Sequence, residues 1–243
     1  MIITGKNYIE DATLTSSSGL AGQNIENLKV PQLSKKYIMN GPGFITVTGI
    51  SSFDSIVIDK GTCSGIYANV HDSTGQHSTY MNSTNTCFYL FSSYTGVTQI
   101  DFTINGLVDT PEIGYIHIGN YLQLPPINPT AGLYYSTTTQ KTNSISGQQY
   151  TDKGYQFIST SFEFPRIPDS EEVFLGKTVA GRQEILATWR ETEFQYAWLF
   201  PWESSLDKIP PIFGSMESDS LQFDRSEVDG LYWGMSFTFV EIK

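Results

Sequence analysis

The sequence predicts a mainly β protein, a β-sandwich or jelly roll followed by a smaller α+β region with one short helix. Three observations lead there. Short segments alternate apolar and polar residues, the period of a half-buried strand. Glycine, serine, threonine and asparagine are frequent between them, which suits many turns. And 243 residues, 39% hydrophobic and 14% aromatic, are enough to bury a core.

The elements follow in order. Phe44–Gly49 alternates and ends in glycine. Ser55–Asp59, a turn at Lys60-Gly61, and Gly65–Val70 read as two neighbouring strands. Cys87–Phe91 is a short apolar run, expected to be buried on both faces. Gln99–Ile104 alternates and stops at Asn105-Gly106, a strong turn pair. Tyr115–Ile118 precedes Gly119. Residues 1–123 are thus read as the sandwich.

From 124 to 150 the pattern fails. The prolines of Leu124–Pro129 cannot serve a central strand, and Ser136–Gln149 is polar without period. This stretch is expected to be an irregular loop or docking arm. Residues 151–243 are patterned again. Ile158, Thr160, Phe162 and Phe164 share one strand face. Asp169 is a plausible N-cap with Glu172 three residues on, so a short helix is expected to begin there. Arg182–Arg190 is ambiguous: Ile185, Leu186 and Trp189 fit helical spacing, whereas Thr188 favours a strand. Phe194, Tyr196, Trp198, Phe200 and Trp202 would share one face of an extended strand, forming core or a subunit interface. Leu231, Trp233, Met235, Phe237 and Phe239 do the same in the last strand.

Charge separates the two regions. The first 150 residues hold 15 charged residues and the last 93 hold 24, within a formal net charge of -11. The first arginine is Arg166, and all four tryptophans lie beyond residue 188. A basic nucleic-acid-binding face is therefore not expected. The sparsely charged Ser/Thr/Asn surface of the first region fits packing among neighbours or a polar, uncharged partner, and equally a plain exposed β surface. No apolar stretch is long enough to span a bilayer, and Met1–Ala12 does not read as a signal peptide.

The chemical inventory is thin. His71 and His77 sit six apart with Asp72 as the nearby carboxylate, a poor metal spacing, and His117 is expected to face solvent or an interface. Cys63 and Cys87 lie in or beside apolar segments and read as inert core thiols, although a disulfide between them stays open. Acid pairs such as Glu171-Glu172 and Glu191/Glu193 do not show the opposed carboxyls that a glycosidase needs. No cofactor, metal or catalytic residue is expected. Tyr134 and Tyr135, with Ser136, Gln140, Lys141, Asn143 and Gln148, are the candidates for docking or glycan contact.

Several segments together resemble a family of tailed-bacteriophage tail-tip and baseplate structural proteins. They are Asn24–Pro31, Ser55–His71, Tyr115–Pro125, Tyr155–Glu172 and Tyr232–Glu241. In that family a galactose-binding-like (discoidin-like) sandwich precedes a smaller α+β region. The resemblance implies a non-enzymatic virion component of the tail, assembled in the host cytoplasm. Its partners would be other tail proteins and copies of itself, with cell-surface carbohydrate as a further contact. A carbohydrate-binding module for cell-surface glycans is the alternative, and a glycoside hydrolase stands third.

Overall fold

The computed structural model describes residues 1–243 except 21, 33, 106–109, 127–131, 138–139, 144–148, 153–155, 201–210, 218–219, 226–231 and 243. The strands are β1 (Ile2–Asn7), β2 (Thr13–Ser16), β3 (Tyr37–Ile38), β4 (Gly43–Thr48), β5 (Ser52–Asp59) and β6 (Gly65–Asp72). Then come β7 (Gly75–Tyr80), β8 (Asn82–Ser83), β9 (Cys87–Thr95), β10 (Gln99–Asn105), β11 (Glu112–Ile113) and β12 (Ile116–Gln123). The next are β13 (Gly132–Thr137), β14 (Gln140–Asn143), β15 (Gln149–Asp152), β16 (Gln156–Ile167), β17 (Glu172–Phe174) and β18 (Lys177–Val179). After helix α1 (Arg182–Thr192) follow β19 (Ala197–Phe200), β20 (Ile212–Met216), β21 (Phe223–Arg225) and β22 (Trp233–Glu241).

Two sheets dominate. The large one runs β13-β16-β22-β20-β19-β1-β12-β5-β9-β8, with β21 on β22. The small one runs β2-β4-β10-β6-β7. The small sheet covers one end of the large sheet: Ile45, Val47, Ala68, Val70, Ile100 and Phe102 meet Ile56, Ile58, Phe88, Leu90, Ile116 and Ile118 in one core. At the other end of that same face, α1 and its flanks close a second core through Ile185 and Phe194 against Phe164, Leu199 and Phe239. Alternation puts Val57, Trp198, Phe200 and Phe213 on the reverse face as a third cluster. β1 joins the halves, pairing with β12 on one side and β19 on the other.

Most of the expected strands are found where periodicity placed them, and four expectations change. Ser55–Asp59 and Gly65–Val70 are not paired neighbours: β5 belongs to the large sheet and β6 to the small one, so the Lys60-Gly61 turn crosses the core. The segment 124–150, expected to be irregular, contains β13, which pairs with β16, and the hairpin β14–β15. The helix starts at Arg182, and Glu172 instead enters the hairpin β17–β18. Glu184 accepts from the Gly181 N–H (2.9 Å), the half of a capping box that a glycine permits. Asp169 holds the helix start from outside: its backbone carbonyl accepts from the Gln183 N–H (3.1 Å), and its carboxylate accepts from the side-chain Arg182 Nε and Gln183 Nε2, both at 2.8 Å.

The aromatic run is the fourth. Only Ala197–Phe200 is strand, because Glu193, Phe194 and Tyr196 take positive φ in the turn leaving the helix. Trp198 and Phe200 share the reverse face as expected, Phe194 swings into the helix-side core, and Tyr196 is exposed. Trp202 and Leu231 lie outside the described residues.

Candidate functional site

The outward face of the small sheet is the most structured polar surface among the described residues. On β2, β4, β10 and β6 the apolar phase turns into the core, so the opposite phase must face out; β7 is polar and largely exposed, and its pairing with β6 places Tyr80 beside Tyr67. Register then sets the outward residues in rows. One row is Phe44, Thr103, Tyr67 and Tyr80; the next is Thr15, Thr46, Asp101, Asn69 and Ser78; the third is Thr13, Thr48, Gln99, His71 and Gln76.

The first row carries the apolar area. Phe44, Tyr67 and Tyr80 are 49%, 40% and 51% exposed. The two tyrosine rings meet edge to face at 4.8 Å, a favourable aromatic geometry. Their alignment is set by the β6–β7 hairpin, where Asp72 Oδ1 accepts from the Thr74 and Gly75 backbone N–H groups at 2.7 and 3.2 Å. Gly75 there has φ +136°, open to glycine with little strain.

The other rows are cross-linked. Asp101 accepts from Thr46 Oγ1 (2.6 Å) and from Gln99 Nε2 (2.9 and 2.8 Å), and His71 Nε2 lies 2.9 Å from its second oxygen. Ser78 Oγ donates to Asn69 Oδ1 (2.6 Å), and Asn69 Nδ2 donates to Thr103 Oγ1 (3.1 Å). Apart from Asp101 and its His71 partner, these rows consist of hydroxyl and amide groups. Such a face can stack apolar ring faces on the aromatics and exchange hydrogen bonds without a formal charge on the ligand.

The residues singled out from sequence lie elsewhere. Tyr134 is 58% exposed on β13, the edge of the large sheet. Tyr135 and Ser136 belong to the same strand, and Gln140, Lys141 and Asn143 to β14. Gln148 lies outside the described residues. The rows on the small sheet were missed, although a signal was present: in Gly65–His71 the polar phase reads Tyr67, Asn69, His71.

Three other groups carry chemistry worth placing. His117, expected to face solvent or an interface, is fully buried on β12, which lies between β1 and β5 and shares its reverse face with an apolar cluster. Its Nε2 lies 3.3 Å from Ser55 Oγ, which donates to Gly119 O at 3.0 Å. This Ser–His pair has no solvent access, and no carboxylate partners Nδ1, so it cannot activate the serine toward a substrate. Cys63 and Cys87 are free and buried, and burial pushes each thiol up to about 12. Among the described residues no three His, Cys, Asp or Glu side chains converge as a metal site, and no helix is long and apolar enough to cross a membrane.

No family model and no curated protein matches the chain. Solved structures do. A family 89 glycoside hydrolase from Clostridium perfringens, in complex with 2-acetamido-1,2-dideoxynojirmycin, is 16% identical, with a TM-score of 0.41 over 47% of this chain and 14% of its own. The chain therefore spans only a small part of that enzyme. The family 32 CBM of C. perfringens NanJ, in complex with galactose, is 13% identical, with a TM-score of 0.39 over 49% of this chain and 98% of its own. CpGH89CBM32-4 from the same organism is 19% identical, with a TM-score of 0.36 over 47% and 98%. Each likeness covers about half of this chain.

Proposed function

We propose that the chain is a non-catalytic carbohydrate-binding module that lays an uncharged glycan across the outward face of its small sheet. One observation carries the reading: exposed aromatic rings in one row, backed by two rows of largely hydroxyl and amide side chains in which Thr46, Gln99 and His71 converge on the Asp101 carboxylate and Ser78 donates to Asn69. A sugar presents the matching pair of surfaces, an apolar C–H face and a rim of hydroxyls. Phe44 and Tyr67 stand two strands apart, roughly 10 Å by sheet geometry. That spacing suits an extended chain rather than one enclosed ring.

The tail-docking role implied by the resemblance also leaned on a thin catalytic inventory, low charge density and an irregular stretch at 124–150. Strands β13, β14 and β15 lie in that stretch, which weakens the last of these grounds, and the outward face of the small sheet favours glycan recognition.

The test is a glycan array followed by calorimetry on the best ligand. Tyr67→Ala and Tyr80→Ala should each weaken binding by about tenfold, which is about 1.4 kcal/mol. Both side chains are exposed, so unfolding midpoints should stay close to wild type. Affinity should also be insensitive to added salt, since the ligand is neutral. An array without ligands, or affinity unchanged in both variants, would refute the reading.

A further inference from the structure

We infer that Asp101 turns the middle of the outward sheet face into an array of hydrogen-bond acceptors, so that the site takes glycans with free hydroxyl or amide N–H groups and rejects O-alkylated and anionic ones. The inference rests on the glycan reading above and names which glycans satisfy it.

An ionised carboxylate only accepts hydrogen bonds, so each group bonded to it must turn a proton toward it. Thr46 Oγ1 donates to Asp101 Oδ1 at 2.6 Å. Gln99 Nε2 donates to both oxygens, at 2.9 and 2.8 Å. His71 Nε2 lies 2.9 Å from Oδ2, so in the neutral ring Nε2 carries the proton. The three partners stand on β4, β10 and β6, and sheet register assembles them round one side chain.

What these partners keep for a ligand has the opposite sense. Thr46 Oγ1 keeps its lone pairs, His71 keeps Nδ1 as an acceptor, and Gln99 keeps its amide oxygen. Among the described residues neither His71 Nδ1 nor Gln99 Oε1 bonds to a protein group, and neither is a buried orphan. The His71 side chain is 32% exposed against 19% for Asp101, so the imidazole is more open than the carboxylate that orients it.

Strands β4 and β6 flank β10, so the array spans roughly 10 Å across the strands and begins about 7 Å along them from the aromatic row. A glycan stacked on that row lays its hydroxyl rim over the array. A hydroxyl or an amide N–H donates to any of the three acceptors. An O-methyl ether sets lone pair against lone pair. A sulfate or carboxylate does the same and is also repelled by the Asp101 charge. The neighbouring Ser78–Asn69–Thr103 chain makes no bond to Asp101 and keeps donors for the ligand's own oxygens.

The experiment is calorimetry on the full chain with cello-, galacto- and manno-oligosaccharides, each beside its partly O-methylated and O-sulfated forms. It is joined to long-range proton–nitrogen NMR of His71 at about pH 8, above the range in which an ordinary imidazole takes a second proton. Free oligosaccharides that bind should do so about tenfold more tightly than their methylated forms. The sulfated forms should not bind, and His71 should carry its proton on Nε2. Asp101→Asn places an N–H among the acceptors at this position, so at least one of the three partners must turn a donor outward. The preference for free over methylated ligand should then fall to about twofold, whereas a methyl group rejected only for its bulk would be rejected as strongly by the variant. If no oligosaccharide binds, the glycan reading falls and this inference with it. If binding weakens in Tyr67→Ala yet methylation or sulfation is tolerated, the glycan reading stands and the acceptor array is excluded. An Nδ1–H tautomer of His71, or a preference unchanged in Asp101→Asn, also overturns the array.

Discussion

Replacing Phe102 by alanine is expected to destabilise the protein by about 3–5 kcal/mol, and the loss should appear in both halves at once. Phe102 is fully buried on β10, with Ile45 and Ala68 as its cross-strand neighbours. Ala68 is too small to collapse into the space left behind, so a cavity remains and the cost falls toward the upper end. Trp189 and Trp233 pack on the helix-side core and Trp198 lies in the reverse-face cluster, so their fluorescence reports on parts of the fold outside the core that holds Phe102. The coupling runs through β1, whose backbone pairs with β12 and β19 together. Its side chains face both ways, with Ile2 in the reverse-face cluster and Ile3 in the helix-side core. Urea unfolding followed by tryptophan fluorescence and by far-UV circular dichroism should therefore give one shared transition, shifted equally in the variant. A fluorescence midpoint that stays at the wild-type value would show that the halves unfold separately. Phe164→Ala, in the other core, should shift both probes in the same way.

How far the sequence could be read depended on which force set each feature. Where one face is buried and the other wet, period-two alternation is a direct record of burial, and β4, β6, β10 and β22 were legible from it. Cys87–Phe91 was legible for the complementary reason: Phe88 and Leu90 enter the sandwich core while Cys87, Tyr89 and Phe91 enter or pack on the reverse-face cluster. His117 was misplaced because alternation with a neighbour fixes phase but not whether the strand is interior. The helix was misplaced because Asp169 has the chemistry of a cap yet spends its carboxylate on the side chains of Arg182 and Gln183, while Gly181 and Glu184 open the helix. Phe194 and Tyr196 left the expected strand because the helix exit needs left-handed residues, which a hydrophobic pattern does not encode. The aromatic row on the small sheet was readable strand by strand, but only register brings Phe44, Tyr67 and Tyr80 into line.

Stability should fall as pH drops from 7 to 4, and most of the loss should trace to His117. Its Nε2 faces Ser55 Oγ, whose own proton goes to Gly119 O, so the neutral ring carries its proton on Nε2. A second proton would sit on Nδ1, which is buried without an acceptor. Burial accordingly lowers this imidazole from 6.5 to about 3, and the nearby Asn120 backbone offsets only part of that. Between these values the unfolded chain binds the extra proton, so the contribution is complete above the unfolded value and is lost as pH falls. At pH 4 the loss amounts to about 3 kcal/mol. Asp54 works in the opposite sense. Burial raises its carboxyl from 3.8 to about 6, so the fold holds that proton more tightly and gains stability as pH falls through this window. Asp54 is only half-buried, and solvent screening limits its gain to about 1 kcal/mol. These two groups together contribute a loss of about 2 kcal/mol between pH 7 and 4. His117→Gln keeps an N–H for Ser55 and removes the titration, so the pH 7 to pH 4 difference in urea-unfolding free energy should shrink by about 3 kcal/mol. Asp54→Asn should enlarge it by about 1 kcal/mol. A His117→Gln protein that keeps the wild-type difference would exclude the buried imidazole as the origin of the acid sensitivity.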